Sequence, residues 1–206
     1  MTTAVIIAHY NENLDWLKKI KTKHQIFVYS KTDLTYNFVP FNKGHEALCY
    51  LKYIIDNYNN LCDRNLFLHG HENSNHQDRP SWFIANNLNW SLCDYFSVTR
   101  RDWYFLEGIN ETSHQETYIM LKKYWSELFQ NILLFPKNFR HYSCAQFQVS
   151  RNLILENSLI FYEKLYNWLL QTNLENYYSG RIFEHTWHYI FTKNPIEPIQ
   201  ELIYNR

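Results

Sequence analysis

Residues 66–82 read Leu-Phe-Leu-His-Gly-His-Glu-Asn-Ser-Asn-His-Gln-Asp-Arg-Pro-Ser-Trp, an apolar run that gives way to a polar loop. The run is typical of a buried strand, and Pro80 suits the first turn of a following helix. Ligands of open α/β sheets bind at the carboxyl ends of the strands. The loop is therefore a candidate site for a metal ion or a phosphate group, the alternative being a solvated loop. Its imidazoles and carboxylates belong to His69, His71, Glu72, His76 and Asp78.

The first thirty residues predict the fold class. Residues 3–9 and 25–29 are apolar runs typical of buried strands, and apolar side chains between them predict a helix at residues 14–20. A strand, a helix and a strand of this length are typical of a βαβ unit. We therefore predict an α/β fold with a mostly parallel central sheet and helices on both faces. No Gly-x-Gly-x-x-Gly follows the first strand, so a dinucleotide site is not expected.

The spacing of apolar residues predicts the remaining elements. Residues 94–98 and 145–151 are predicted strands, the second because Gln146, Gln148 and Ser150 alternate with apolar residues. Neither an internal repeat nor a linker divides the chain, so residues 1–206 are predicted to form one domain. Helical spacing occurs in residues 47–58, 81–88, 116–134, 157–171 and 179–191.

Composition restricts the class of function. The 206 residues are 46% hydrophobic and 18% aromatic, and their formal net charge is zero. Nonspecific nucleic-acid binding needs a basic face, so it is not expected. The four cysteines contain no Cys-x-x-Cys and are predicted to be reduced thiols of a cytoplasmic protein. No secretory signal is recognisable, and no stretch approaches the roughly 20 apolar residues of a membrane span.

Two further groups of residues are candidates for chemistry. The backbone amides at the start of the helix after residue 46, together with Lys43, could hold an anion such as a diphosphate, or form an ordinary solvated cap. Arg100 is a second candidate for phosphate, or simply a solvated arginine. Glu184 and Trp187 are three residues apart and can share one side of a helix. A carboxylate beside an aromatic face can have a raised pKa and act as a general base, whereas the alternative is a solvent-facing glutamate.

The chain contains five short motifs: Ala8-His-Tyr-Asn-Glu, Phe41-Asn-Lys-Gly-His-Glu-Ala, Phe67-Leu-His-Gly-His, Ala145-Gln-Phe-Gln-Val-Ser-Arg and Gly180-Arg-Ile-Phe-Glu-His-Thr-Trp. They resemble those of an uncharacterised group of short proteins that are similar to glycosyltransferases of the GT-A fold, including small virus-encoded ones. The Asn, Tyr, Ile and Lys content is typical of an AT-rich genome, which agrees with a viral likeness. If the chain is viral, the expected location is the host cytoplasm.

The resemblance implies a hexosyl- or deoxyhexosyltransferase with a UDP- or GDP-linked sugar donor and a glycan acceptor. GT-A enzymes usually hold Mn²⁺ or Mg²⁺ with Asp-x-Asp after the fourth strand, where this chain has His69-Gly70-His71. Imidazole suits Mn²⁺ less well than carboxylate does, so His71 and Asp78 are the implied metal ligands. Glu184 and Asp78 are the implied catalytic residues, and Gln146, Arg151 and Trp187 lie on the implied acceptor side. The implied donor-binding residues are His9, Tyr10, Asn11, Lys43, Gly44, His69, Gly70, His71 and Arg100.

Two other functions stay open at this point. His69, His71, His76 and Asp78 have the residue types of a zinc or binuclear hydrolase site. The many aromatic residues are also typical of a noncatalytic carbohydrate-binding module.

Overall fold

The computed structural model describes residues 1–75, 77–98, 103–107, 115–129, 132–142 and 145–198. A 3₁₀ helix spans Asp15–Lys19. The strands are β1 (Thr3–His9), β2 (Gln25–Ser30), β3 (Asn37–Phe38), β4 (Arg64–His69), β5 (Tyr95–Ser97), β6 (Trp103–Glu107), β7 (Asn138–Tyr142) and β8 (Phe147–Ser150). The α-helices are α1 (Ala47–Asn57), α2 (Ser81–Asn87), α3 (Gln115–Phe129), α4 (Arg151–Leu155), α5 (Leu159–Gln171), α6 (Asn176–Glu184) and α7 (Trp187–Thr192).

The central sheet has six strands in the order β3-β2-β1-β4-β8-β5. The pairings β3–β2, β2–β1 and β1–β4 are parallel, whereas β8 runs antiparallel to both of its neighbours. The predicted α/β class is confirmed, with a mixed sheet. β6 and β7 form a separate antiparallel pair. The order reverses beside β1, because the chain first builds β2 and β3 on one side and then β4 on the other.

Helices cover both faces of the sheet, which explains why every residue of β1 is buried. Successive strand residues point to opposite faces. Ile6 and Phe67 belong to the larger core, formed with α1, α5, α6 and α7. Ile7 and Leu68 belong to the smaller core, formed with the 3₁₀ helix and α2. Among the described residues, no helix is long and apolar enough to cross a membrane.

Three predicted elements differ from the observed ones. The helix predicted at residues 14–20 is a single 3₁₀ segment, and Leu14 at its start provides no side-chain cap. The helix predicted at residues 179–191 is divided between α6 and α7. Thr186 Oγ1 donates to the Ile182 carbonyl at 2.8 Å there, a side-chain hydrogen bond that bends helices. The strand predicted at residues 145–151 ends at Ser150, whose hydroxyl caps α4.

Candidate functional site

A cavity of about 360 Å³ lies at the carboxyl ends of β1 and β4, where the strand order reverses. Open α/β sheets bind their ligands at this position because the loops after the two strands diverge there. Residues from the loops after β1, β2 and β4 and from the starts of α1 and α6 meet in it. The lining residues are Ala8, His9, Tyr10, Glu12, Lys31, Asn42, His45, Glu46, Cys49, His69, His71 and Asn176.

Side chains after β1 are held in place by hydrogen bonds. His9 Nδ1 lies 2.8 Å from Ser30 Oγ, and its Nε2 lies 3.1 Å from the Glu12 carbonyl oxygen. Glu12 Oε2 accepts the Tyr10 backbone N–H at 2.7 Å, and Glu12 Oε1 lies 3.5 Å from His71 Nε2. The loops after β1 and β4 therefore meet through a glutamate and a histidine.

Gly70 permits this close approach. A Cβ atom on Gly70 would lie 2.7 Å from Glu12 Oε2 and 3.2 Å from the Ala8 carbonyl oxygen. The Gly70 carbonyl accepts the Trp16 indole N–H at 2.9 Å, which fixes the loop from its other side. A side chain at position 70 would therefore displace the Glu12 carboxylate from its present position.

Lys31 organises the turn before α1. Its ammonium donates to the carbonyl oxygens of Lys43, at 3.0 Å, and of His45. Gly44 and His45 adopt φ values of 64° and 45°, so the turn is left-handed there. Burial lowers the pKa of Lys31, although neighbouring acidic groups oppose this effect. The turn positions Glu46 in the cavity.

Glu46 is a largely buried carboxyl group that lines the cavity. It occupies the N-cap position of α1, but its side chain makes no capping hydrogen bond. The side chain is 13% exposed, and Oε2 lies 3.8 Å from His69 Nε2. Burial, followed by repulsion from Glu184, raises the pKa of Glu46 to about 8, although Lys31 and Arg181 oppose this. The raised pKa favours the protonated form of Glu46, which can donate a hydrogen bond.

Glu184 lies close enough to Glu46 to raise its pKa, but it is not one of the cavity-lining residues. It is the last residue of α6, and its Oε2 lies 3.3 Å from Arg181 Nη1. Trp187 is 1% exposed and packs against Phe147 and Phe183. We therefore assign Trp187 to the core rather than to the acceptor side.

The predicted donor-binding residues are only partly brought together. His9, Tyr10, His69 and His71 line the cavity, with Gly70 directly beside it. The Lys43 ammonium instead donates to the Thr172 carbonyl at 2.8 Å. Of the remaining predicted residues, two do not line the cavity and two lie outside the described residues. Gly44 packs against Leu169, Asn11 is exposed, and Arg100 and His76 fall outside the described ranges.

The predicted acceptor-side residues Gln146 and Arg151 lie at opposite edges of the sheet. Gln146 Oε1 accepts the His69 backbone N–H at 3.2 Å, close to the cavity. Arg151 Nη2 lies 3.2 Å from Asp63 Oδ1, before the start of β4. The structure does not bring them together: they flank opposite ends of β8, and because β8 is antiparallel to β4 only the Gln146 end lies at the cavity.

The arrangement of side chains decides whether His71 and Asp78 could form the implied metal site. Among the described residues, no three His, Cys, Asp or Glu side chains are grouped so that they could hold a metal ion. Asp78 is exposed and does not line the cavity. These residues do not fit a site made by His71 and Asp78, and we derive no chemical step through a metal.

Several cavity residues were missing from the predicted site. Glu12 and Glu46 lie inside motifs quoted above, so a signal for them was present in the sequence. Lys31 and Asn176 reach the cavity only through tertiary contacts. Asn176 Oδ1 accepts the His45 backbone N–H at 2.9 Å, across the turn that Lys31 holds.

Comparison with known proteins gives one match. A family model described as a protein of unknown function (DUF3431) matches residues 4–202, nearly the whole chain. No curated protein matches the chain, and no solved structure matches it.

Proposed function

The chain belongs to the family described as a protein of unknown function (DUF3431), and we propose that it is a glycosyltransferase. It moves a sugar from a nucleotide-diphosphate donor to a carbohydrate hydroxyl. The observation that carries this proposal is the cavity at the reversal of strand order, lined by residues from three motifs of the GT-A resemblance. Its volume of about 360 Å³ falls within the range of roughly 300–1,000 Å³ that is usual for small-molecule sites.

The charges around the cavity support binding of a diphosphate. Burial lowers the pKa of His45, and the nearby charges of Lys31 and Arg181 lower it further, so two cations lie close to this imidazole. The raised pKa of Glu46 favours its neutral form. A neutral carboxyl group donates a hydrogen bond to a phosphate oxygen instead of repelling it. The start of α1 adds the positive end of its helix dipole.

In the reaction, the bond between the anomeric carbon and the diphosphate breaks, and the diphosphate leaves with the electron pair. The acceptor oxygen forms the new bond to the anomeric carbon and loses its proton. Glu46 holds the donor phosphates, and Glu184 acts through Glu46 by keeping it protonated. We treat Glu184 as a positioning residue because it does not line the cavity.

A thermal-shift screen of UDP- and GDP-sugars, each with and without Mn²⁺, tests the proposal. A ligand that binds only the folded state raises the unfolding temperature, and a concentration 100-fold above Kd adds about 2.7 kcal/mol. Bound candidates are then followed by release of the nucleotide diphosphate in the presence of saccharides. If no nucleotide sugar raised the unfolding temperature and none released nucleotide, the proposal would fail.

A pair of variants tests the loop after β4. Asp78→Ala is predicted from the family resemblance to weaken donor binding, and Asp63→Ala is the control at the opposite edge of the sheet. The exposed position of Asp78 outside the cavity favours equal affinities instead. Both variants are titrated with the donor found in the screen. Weaker binding by Asp78→Ala alone would support a role in holding the donor, whereas equal affinities would mean that Asp78 is only a solvated surface residue.

A further inference from the structure

A second cavity, of about 370 Å³, lies beside the first. Glu12 and His71 line both cavities, and their side chains, 3.5 Å apart, form the shared wall. The two cavities therefore form one groove with two compartments along the carboxyl edge of β1 and β4. The remaining lining residues of the second cavity are Asn13, Asp15, Trp16, Lys19 and Glu72.

The second compartment disfavours anions. It contains three carboxylates but one lysine, Lys19, whose ammonium lies 2.7 Å from Glu72 Oε1. Asp15 is similarly close to Lys18, at 2.5 Å. A diphosphate placed here would meet carboxylates and a cation that is already paired. The compartment instead favours a neutral ligand whose hydroxyl groups can donate to carboxylates and accept from an ammonium.

One wall of the second compartment is rigid. The Trp16 side chain is almost fully buried, and its indole N–H is held by the Gly70 carbonyl. Lys19, by contrast, is half exposed, and its ammonium contacts Glu72 and the Trp82 ring, whose centroid lies 5.7 Å away. The Trp16 wall is preorganised, so it loses little side-chain entropy when a ligand binds.

Glu12 is fixed between the two compartments. One carboxylate oxygen accepts the Tyr10 N–H and lies against Gly70, so the other oxygen is directed toward His71 in the shared wall. A ligand in either compartment can approach this carboxylate. The side chain is 17% exposed, which leaves it accessible from the groove.

We propose that the second compartment is the acceptor site, that it takes a neutral saccharide, and that Glu12 accepts the proton of the reacting hydroxyl. This inference rests on the proposed glycosyl transfer. As the acceptor oxygen bonds to the anomeric carbon, the bond to the diphosphate breaks and its electron pair leaves with the diphosphate. The hydroxyl proton moves to the Glu12 carboxylate, which later returns it to water.

The test compares Lys19→Trp, which fills the second compartment, with Lys122→Trp at an exposed site on α3. Saccharide binding is measured directly by saturation-transfer NMR with glucose, galactose, mannose, N-acetylglucosamine and lactose. Nucleotide binding is measured separately with UDP and GDP. We expect the wild type and Lys122→Trp to bind at least one saccharide. In Lys19→Trp the saturation-transfer signal of that saccharide should fall at least tenfold. Both variants should remain folded.

Glu12→Gln tests the proton step with the donor identified by the screen. Loss of a general base costs about 10²–10⁴-fold in rate, so kcat should fall by that factor while KM for saccharide changes little. Unchanged saccharide binding in Lys19→Trp, or no saccharide signal in the wild type, overturns the acceptor site even if nucleotide binds. Saccharide binding that depends on Lys19 without any nucleotide binding overturns the glycosyl transfer instead.

Discussion

Replacement of Glu46 by glutamine tests the central electrostatic feature of the site. The Glu46 pKa rises from 4.5 to about 8 in the folded protein, first through burial and then through the Glu184 charge. Between these two pH values the folded state holds a proton that the unfolded state has lost. The free energy of unfolding therefore falls as the pH rises through this window.

The magnitude follows from the size of the pKa change. A tenfold change in proton affinity is worth about 1.4 kcal/mol, so each pH unit within this window lowers the free energy of unfolding by up to about 1.4 kcal/mol. Glutamine is neutral at every pH and keeps the shape of the protonated carboxyl group. Glu46→Gln should therefore gain stability over the wild type by about 1.4 kcal/mol for each pH unit between 4.5 and 8.

Urea denaturation of both proteins at intervals from pH 4.5 to 9 measures this difference. Glu163→Gln on α5 is the matched control and should follow the wild-type pH dependence. Glu184→Gln removes the repelling charge, so it should lower the Glu46 pKa and shift the decline to lower pH. Parallel curves for the wild type and Glu46→Gln would refute the account of a protonated Glu46.

Four further substitutions test other parts of the structure. Gly70→Ala forces Glu12 to move and should cost about 1–3 kcal/mol, measured by urea denaturation; no loss would mean that the loop yields easily. Lys31→Met leaves buried carbonyl oxygens without their donor and should cost about 1–3 kcal/mol, with faster hydrogen exchange at residues 42–46 as the local readout. Trp187→Ala should cost about 3–5 kcal/mol, because Trp187 is a core residue with 1% exposure; a small effect on stability with lost saccharide binding would restore its acceptor role. Burial lowers the pKa of His188 to about 3. On acidification the unfolded state therefore binds a proton at a higher pH than the folded state does, and the free energy of unfolding falls as the pH drops from 6.5 toward 3. His188→Gln should flatten that decline by about 1.4 kcal/mol per pH unit, and an unchanged acid limb would argue against a neutral buried imidazole.

Local sequence patterns predicted the strands better than the helix boundaries. β1 and β4 are buried on both faces, so each contains a run of apolar residues. Such a run predicts a strand without any information about the neighbouring strands. The first predicted helix is a five-residue 3₁₀ segment, and apolar spacing alone does not distinguish 3₁₀ from α geometry. The break between α6 and α7 depends on the Thr186 hydroxyl, which hydrophobic spacing does not register.

The predicted site residues lie together where their grouping depends on strand direction alone. His9 and His71 follow two strands that proved parallel, and the carboxyl ends of parallel strands meet at one edge. Arg151 lies away from the cavity because β8 is antiparallel to β4, which depends on strand pairing and not on local sequence. The Lys43 ammonium donates to the Thr172 carbonyl, a contact with a segment distant in sequence.

The sequence by itself determined the α/β class, the apolar strands and the motifs that supply His9, Glu12, Glu46 and His71, because these depend on composition and spacing along the chain. Tertiary structure alone decided the protonation of Glu46, since its pKa depends on burial and on Glu184 from a remote helix. It also decided that Glu12 and His71 stand between two compartments. Electrostatic potential and cavity shape arise from segments far apart in sequence, so no local pattern can encode them.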